Sequence, residues 1–165
     1  MTSAWWTSRS TIAATATGSP KISAQALNVL FELTISERRS YLELMRMRMP
    51  DRLRFALDVD PSVLDYRCPP TTLLTLVENA VRHGIDPAED GGDIDIAVKR
   101  EGGDVLIRVE DSGVGPGVSD SGSGTGLKAL RERLALAFGE AAALRLFERE
   151  PHGFRAEVQF PAEAR

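Results

Sequence analysis

The spacing of apolar residues along the chain predicts a helical first part. Between Ile22 and Met49, apolar side chains recur at the period of an α-helix that packs along one face. Ser36 stands where a cap could start a second helical stretch. Pro50 ends the region, because a proline cannot continue a helix. We therefore predict a helical lead-in segment over residues 22–50.

The second part of the chain mixes two periods. Helical spacing returns after Pro69-Pro70, in a segment closed by Gly84, and again before Gly139. Alternation of apolar and polar residues predicts strands around residues 53–57, 94–98, 105–109, 144–146 and 154–160. The order is helix, strand, helix, strand, strand, helix, strand, strand. This order predicts an α+β fold, a two-layer α/β sandwich in which a mixed sheet carries helices on one face.

Composition and charge exclude several classes of function. Of the 165 residues, 42% are hydrophobic and 27% charged, as in one globular domain with or without an appended element. The formal net charge of −4 argues against nucleic acid as a partner. No apolar run is long enough to span a bilayer, so we expect no direct membrane insertion. One cysteine and two distant histidines offer no set of zinc ligands.

The first residues have a different composition from the rest. Residues 1–21 are rich in serine, threonine and alanine. They lack a basic start followed by a long apolar run, so a secretory signal is a poor interpretation. We expect a flexible leader there.

Candidate chemistry appears first in the segment TLVENAVRHG, residues 75–84. An acid, an amide, a guanidinium and an imidazole stand beside its apolar stripe, at Glu78, Asn79, Arg82 and His83. Residues four apart share one face of a helix, so Asn79 and His83 are on the same face. The simpler alternatives are an asparagine in a capping network and a histidine on the surface.

Glycine-rich loops carry the second candidate site. Asp111 ends an apolar strand and is followed by Gly113 and Gly115, a pattern that a turn alone could explain. A second cluster then stands directly before a helix. Glycines let the backbone approach a ligand, and a helix start attracts phosphate. The glycines of this cluster are Gly122, Gly124 and Gly126.

Two common nucleotide signatures do not match this cluster. A P-loop needs Lys-Ser or Lys-Thr after its last glycine, and neither dipeptide is present. A dinucleotide-binding loop needs G-x-G-x-x-G directly after a strand, whereas here Leu127 takes the place of the last glycine and polar residues precede the loop.

Taken in order, the helix asparagine, the Asp-x-Gly-x-Gly after a strand and the glycine loop before a helix resemble the GHKL ATP-binding fold. That group includes histidine kinases, gyrase-type ATPases and Hsp90-type chaperones. The segments CPPTTLLTLVENAVRHGI and GLKALRERL are most similar to the catalytic domain of LytS-type sensor histidine kinases, over roughly residues 37–161. The resemblance implies a Bergerat-type ATP-binding catalytic domain over residues 51–165, with ATP and Mg²⁺ as cofactors.

The resemblance also implies roles for individual residues. Asn79 would bind Mg²⁺ through its amide oxygen, while Arg82 and His83 would face the phosphates. Asp111 would accept a hydrogen bond from the amino group of adenine and reject guanine, which has a carbonyl there. Gly113 and Gly115 would make room for the base. A lid over the triphosphate would be formed by Gly122, Gly124, Thr125, Gly126 and Leu127.

Glu78 is the third candidate catalytic residue, beside Asn79 and His83. In gyrase-type ATPases the glutamate that activates water lies four residues before the asparagine, and here that position is Thr75. Glu78 lies about 100° round the helix from Asn79, so it would orient a nucleophile or polarise its neighbours. Without a carboxylate at Thr75, hydrolysis of ATP should be slow, which suits a kinase.

The chain departs from LytS-type kinases in three places. No histidine precedes His83, so the Pro-His-Phe phosphoacceptor is missing from this sequence, and His152 lies in a loop. Ala129 stands where these kinases usually have asparagine, and Phe154 where a threonine often helps to hold adenine. We therefore expect a protein-histidine kinase catalytic domain that is incomplete without an acceptor histidine from outside the chain.

Two classes of function follow from these residues. The first is the ATP-binding domain of a two-component sensor histidine kinase, and the second is a non-catalytic interaction module, a pseudokinase. Asn79, Asp111 and the lid glycines favour the kinase. Its expected partners are a phosphoacceptor helix or kinase protomer in trans, a response regulator and a second copy of the chain. The expected location is cytoplasmic, within a soluble part of a membrane-anchored kinase.

Overall fold

A computed structural model describes residues 24–66, 68, 71–115 and 123–162, apart from the side chains of residues 24–34, 65, 123 and 124. The leader predicted for residues 1–21 lies outside the described residues. The first described helix, α1, runs unbroken over Ala24–Arg48. The prediction that Ser36 caps a second helical stretch is therefore wrong. Backbone N–H groups after Ser36 already have carbonyl partners in the preceding turn, so no cap is needed there.

The sheet has the five predicted strands. They lie in the order β1-β2-β3-β5-β4, with β1 parallel to β2 and all other neighbours antiparallel. Gly102-Gly103 turns the chain between β2 and β3, and Gly102 takes a φ of +62° that favours glycine. The strands are β1 Leu53–Val59, β2 Gly92–Glu101, β3 Asp104–Asp111, β4 Ala143–Glu148 and β5 Phe154–Pro161.

Two further helices join α1 on the sheet. They are α2, Thr72–Asn79, which continues as a π-helical turn over Ala80–Ile85, and α3, Ser123–Phe138. Short 3₁₀ turns cover Pro61–Asp65 and Gly139–Ala141. No helix in the described ranges combines the length and the apolar character that crossing a membrane would require.

The hydrophobic core lies between the helices and one face of the sheet. Along β2, Ile94, Ile96 and Val98 are buried, while the residues between them are more exposed. These side chains form one cluster with buried residues of all three helices, for example Leu42, Leu76 and Leu130. Burial of the apolar side chains on one face of the sheet drives this arrangement, because it removes their apolar surface from water. The predicted α+β sandwich with a mixed sheet is confirmed.

The helix that carries the candidate residues differs from its prediction at both ends. It begins at Thr72, whereas Pro69 and Pro70, expected to open it, lie outside the described residues. Gly84 does not close it but lies inside the π-helical turn, in which the N–H of Asp86 bonds to the carbonyl of Val81, five residues earlier. The Arg52 guanidinium donates to the carbonyls of Ile85, Asp86 and Ala88, which satisfies backbone acceptors where the wider turn ends.

Candidate functional site

A cleft lies where the C-terminal part of α2 meets the start of α3. Its volume is about 130 Å³. Seven residues predicted for the site line it, together with Thr75. The lining residues are Thr75, Glu78, Asn79, Arg82, His83, Thr125, Gly126 and Leu127.

Helical geometry brings the polar residues of α2 to one side. Glu78, Asn79, Arg82 and His83 follow Thr75 at steps of three or four residues, so they form one stripe. The opposite stripe is buried in the core and consists of Leu73, Leu76, Val77, Ala80, Val81, Gly84 and Ile85. The sequence TLVENAVRHG therefore combines a packing face with a polar face that opens into the cleft.

The sequence predicted that the glycines of the second cluster lie in a loop, but not all of them do. Gly124, Thr125 and Gly126 belong to the first turns of α3, and Gly122 lies outside the described residues. Glycine adopts helical and loop dihedral angles with similar ease, so composition alone does not locate this boundary. A Cβ added to Gly126 would lie 3.7 Å from Cγ2 of Thr75, so α3 approaches α2 closely at this point.

Thr75 links the two helices through its hydroxyl group. Its Oγ1 donates to the carbonyl of Thr71 at 2.9 Å and accepts from Nη2 of Arg133 at 3.2 Å. Arg133 was not singled out from the sequence. The available signal was its position seven residues after Gly126, which places both on one face of α3. The guanidinium thus brings a positive charge next to the cleft.

Asp111 lies beside this cleft and does not line it. The residue ends β3, is 2% exposed, and its Oδ1 accepts from the N–H of Gly113 at 3.0 Å. The carboxylate lies against Gly84, where an added Cβ would fall 2.5 Å from Oδ1. Because Gly84 follows His83 directly, Asp111 contacts a residue that is next in the chain to the polar stripe of α2.

Burial determines the acidity of Asp111. Loss of solvent raises the pKa of its carboxyl group to about 6, against the opposing effects of the Gly113 N–H, the charge of Arg149 and the Phe154 N–H. At neutral pH the ionised form therefore prevails. A buried carboxylate of this kind can accept a hydrogen bond from a donor that enters beside it.

Gly113 makes a close backbone contact with Gly84. A Cβ on Gly113 would fall 2.1 Å from the carbonyl oxygen of Gly84, and the N–H of Val114 donates to that same oxygen at 3.2 Å. Gly113 and Gly84 therefore let the β3 end and the π-helical turn touch through their backbones. Gly84 was not among the predicted site residues, although a glycine directly after a polar stripe is the signal of such an approach. Gly115, with a φ of +76°, also lies outside the cleft lining.

The sequence and the fold match those of known proteins. Residues 69–164 match the family of histidine kinase-, DNA gyrase B- and HSP90-like ATPases, which is more than half of the chain. The chain belongs to this family. The matched region contains α2, the cleft residues and Asp111.

Two relatives among characterised proteins are sensor kinases. The chain is 37% identical over 129 residues to the sensor histidine kinase YesM of Bacillus subtilis (strain 168), a match covering 74% of the chain. It is 33% identical over 129 residues to the sensor histidine kinase/phosphatase LytS of Staphylococcus aureus, a match covering 70% of the chain. In each case the match spans only 22% of the relative's length.

Solved structures show the same fold. The catalytic domain of the histidine kinase ThkA superposes with a TM-score of 0.59 at 19% identity, covering 84% of this chain and 95% of that one. ThkA in its complex with the response regulator protein TrrA gives a TM-score of 0.58 at 18% identity, covering 80% of this chain and 40% of that one. At such identities the likeness establishes the fold alone.

Proposed function

We propose that the chain is the ATP-binding catalytic domain of a two-component sensor histidine kinase, which positions Mg-ATP for transfer of its γ-phosphoryl group to a histidine outside this sequence. The observation that carries the proposal is the cleft itself. It gathers the polar stripe of α2 and the first turns of α3 next to the buried carboxylate of Asp111. Family membership and the identity to YesM support the same function.

The residues of the cleft suit a magnesium ion bound together with phosphate. Asn79 and Glu78 offer oxygen atoms, which Mg²⁺ prefers. Within the described ranges no cluster of three or more acidic, histidine or cysteine side chains could hold a metal ion by itself. Mg²⁺ commonly binds through one or two protein oxygens plus phosphates and water, so Asn79 would be its protein ligand. A magnesium ion there would neutralise charge on the phosphates.

The other cleft residues have matching roles in the proposed site. Arg82 and His83 face the phosphates, and Thr125, Gly126 and Leu127 cover them from α3. Asp111 accepts a hydrogen bond from the amino group of adenine, with Gly113 and Gly115 beside the base. Gly122 and Gly124 complete the lid. Glu78, Asn79 and His83 are the residues that would act on the reacting phosphate.

The structure supports slow hydrolysis of ATP by water. Thr75 stands where gyrase-type ATPases carry a carboxylate base, and its hydroxyl is already bonded to Thr71 and Arg133. Glu78 is exposed, one position before Asn79. Transfer of a phosphoryl group depends mainly on positioning and charge neutralisation, so a kinase does not need a stronger base.

The acceptor histidine has to come from outside this sequence. Of the two histidines present, His83 lines the cleft, and Nδ1 of His152 lies 3.0 Å from the carbonyl oxygens of both Ser112 and Gly113. Neither is carried on a separate helix that could approach the γ-phosphate in line. The proposed partners are a phosphoacceptor helix or a kinase protomer in trans, a response regulator and a second copy of the chain. A cytoplasmic location is part of the same proposal.

Incubation with γ-labelled Mg-ATP tests the proposal. We expect saturable binding, no acid-labile and alkali-stable label on the chain alone, and transfer to a separate helical peptide that carries Pro-His-Phe. The Asn79→Ala variant serves as the control and should transfer little. Absence of ATP binding by the parent chain would favour the interaction module, and phosphohistidine on the chain alone would contradict the assignment of its acceptor.

A further inference from the structure

The loop between β4 and β5 lies directly behind Asp111. Nη1 of Arg149, the first residue after β4, donates to the backbone carbonyl of Asp111 at 2.9 Å. The side chain of Arg149 is 31% exposed, so it is largely withdrawn from solvent. This cation therefore contacts the residue that the proposed function assigns to base recognition.

The backbone of the same loop packs closely against the backbone of Asp111. Gly153 has a φ of +112°, and a Cβ added there would fall 2.2 Å from the carbonyl oxygen of Asp111. The N–H of Arg149 donates to the carbonyl of Gly153 at 3.1 Å, which closes the loop on itself. His152 completes the contact through the carbonyls of Ser112 and Gly113. The Asp111–Gly113 segment is thus contacted by the β4–β5 loop as well as by Gly84.

The guanidinium of Arg149 is itself held in place. Its Nε lies 3.5 Å from Oε2 of Glu110, the neighbour of Asp111 on β3. Glu110 has a second cation in Arg155, whose Nε lies 2.7 Å from Oε1. Arg149 therefore bridges the carboxylate of Glu110, on the sheet face away from the helices, and the backbone carbonyl of Asp111. Such a fork of fixed donors suits arginine better than lysine.

The charge of Arg149 acts on the Asp111 carboxylate as well. Burial raises the pKa of that carboxyl group, and the positive charge of Arg149 opposes the rise. Only the ionised carboxylate is purely an acceptor, because a protonated carboxyl group can also donate to the carbonyl of guanine. Loss of the charge should therefore weaken discrimination between the two purines at neutral pH.

We propose that Arg149 is a positioning residue for base recognition, which holds the backbone of Asp111 and keeps its carboxylate an acceptor for the amino group of adenine. This inference rests on the proposed function of the site. Arg149 touches neither the base nor the phosphates in this assignment, so it acts entirely through Asp111.

The test compares Arg149→Met with the parent chain by measuring the ratio of the dissociation constants for Mg-GDP and Mg-ADP from about pH 5 to about pH 8, around the pKa of Asp111. The phosphates are common to both ligands, so their own titration cancels in the ratio. In the parent the preference for ADP should fall as the pH drops through about 6. In Arg149→Met the midpoint should move to higher pH, and the preference at neutral pH should fall on the order of threefold to tenfold.

Two controls separate this role from a general effect on the fold. Arg145→Met removes an arginine of β4 that donates to Gln159 on β5, so it should leave the ratio and its midpoint unchanged. Arg149→Lys keeps the charge but lacks the rigid guanidinium that donates to the Asp111 carbonyl and pairs with Glu110, so an intermediate loss is expected. Equal weakening of both nucleotides by Arg149→Met, without a shift of the midpoint, would overturn the proposal.

A second measurement does not depend on nucleotide binding. Titration of the Asp111 carboxyl carbon by NMR in the nucleotide-free protein should show a higher pKa in Arg149→Met than in the parent. An unchanged pKa refutes the inference, whatever the nucleotides do. Failure of the parent chain to bind either nucleotide would instead refute the proposed function. If Arg149→Met does not fold, Arg149→Lys carries the test, and parent-like behaviour in both measurements overturns the inference.

Discussion

Gly84 lies against the carboxylate of Asp111 so closely that a Cβ added to it would fall 2.5 Å from Oδ1 and 2.6 Å from Cγ. This contact joins the π-helical turn that follows α2 to the end of β3. Because Asp111 is itself buried, its carboxylate cannot simply turn into solvent to make room.

Gly84→Ala should therefore displace Asp111 and weaken nucleotide binding. We expect a loss of stability of roughly 1–3 kcal/mol, the usual cost of an extra methyl group in a packed region. Urea denaturation and calorimetric titration with ADP measure the two effects. Gly103→Ala is the matched control, because a Cβ there meets no atom within 4 Å. A variant at Gly84 that matches the control in both measurements would refute the contact.

Asp111 should reduce stability at neutral pH. Its pKa rises from 3.8 to about 6 on folding, so the folded state binds more protons than the unfolded state between those values. Stability contributed by the protonated form is complete below about pH 4 and is lost as the pH rises through about 6. Asp111→Asn should then stabilise the chain by roughly 1–3 kcal/mol at pH 7 and by little at pH 4, as measured by thermal unfolding.

Asp93 provides the control of opposite sign. A hydrogen bond from Arg54 lowers the pKa of Asp93, so its ionised form favours folding and Asp93→Asn should reduce stability at neutral pH. The Asp111→Asn variant should also lose much of the preference for ATP over GTP, in contrast to Asp93→Asn. A destabilised Asp111→Asn at pH 7 would show that the carboxylate is better solvated than its burial indicates.

Asn79→Ala should weaken nucleotide binding mainly when magnesium is present. Asn79 lines the cleft through a side chain whose oxygen suits Mg²⁺. We expect about a tenfold loss of ADP affinity with Mg²⁺, the scale of one polar contact to a charged group, and a smaller loss with a chelator. Asn79→Asp keeps an oxygen ligand and should retain the magnesium dependence. Equal losses with and without Mg²⁺ would assign Asn79 to packing.

The hydrogen bond between Thr75 and Arg133 should couple α2 to α3. Thr75→Val keeps the shape of the side chain but removes the acceptor, and Arg133→Met removes the donor. A double-mutant cycle in urea denaturation should give a coupling free energy of about 1 kcal/mol. Arg131 is exposed on the same helix, so Arg131→Met combined with Thr75→Val should be additive. Additivity in the Arg133 cycle would exclude the coupling.

Local periodicity was sufficient to predict the helices and strands and the polar stripe of α2. Ile94, Ile96 and Val98 alternate because successive side chains of a strand point to opposite faces, and this predicted the hairpin correctly. Asn79 and His83 share a face because a helix repeats every 3.6 residues, and the structure places both in one cleft. Family resemblance, carried by the ordered motifs, led to the fold family that the comparisons confirm.

Element boundaries were less accessible from the sequence. The chain carries α1 through Ser36 and starts α3 at Ser123, before two glycines of the expected loop. Serine and glycine are compatible with both helix and loop, so their identity does not decide which one forms. The carbonyls at the end of the π-helical turn bond to Arg52, which is more than 30 residues away in the sequence.

What the sequence by itself determined is therefore the set of elements, the face of α2 that carries the polar residues and the family. The first two follow from near neighbours in the chain, and the family follows from the order of the motifs. Only the tertiary structure decided that Gly84 touches Asp111, that Arg133 reaches Thr75 and that Arg149 supports Asp111. The two arginine contacts join residues 58 and 38 positions apart. The Arg149 contact forms because β5 lies between β3 and β4 in the sheet, and the Arg133 contact forms because α2 and α3 pack side by side. Contacts between residues so far apart in the chain leave no periodic pattern in the sequence.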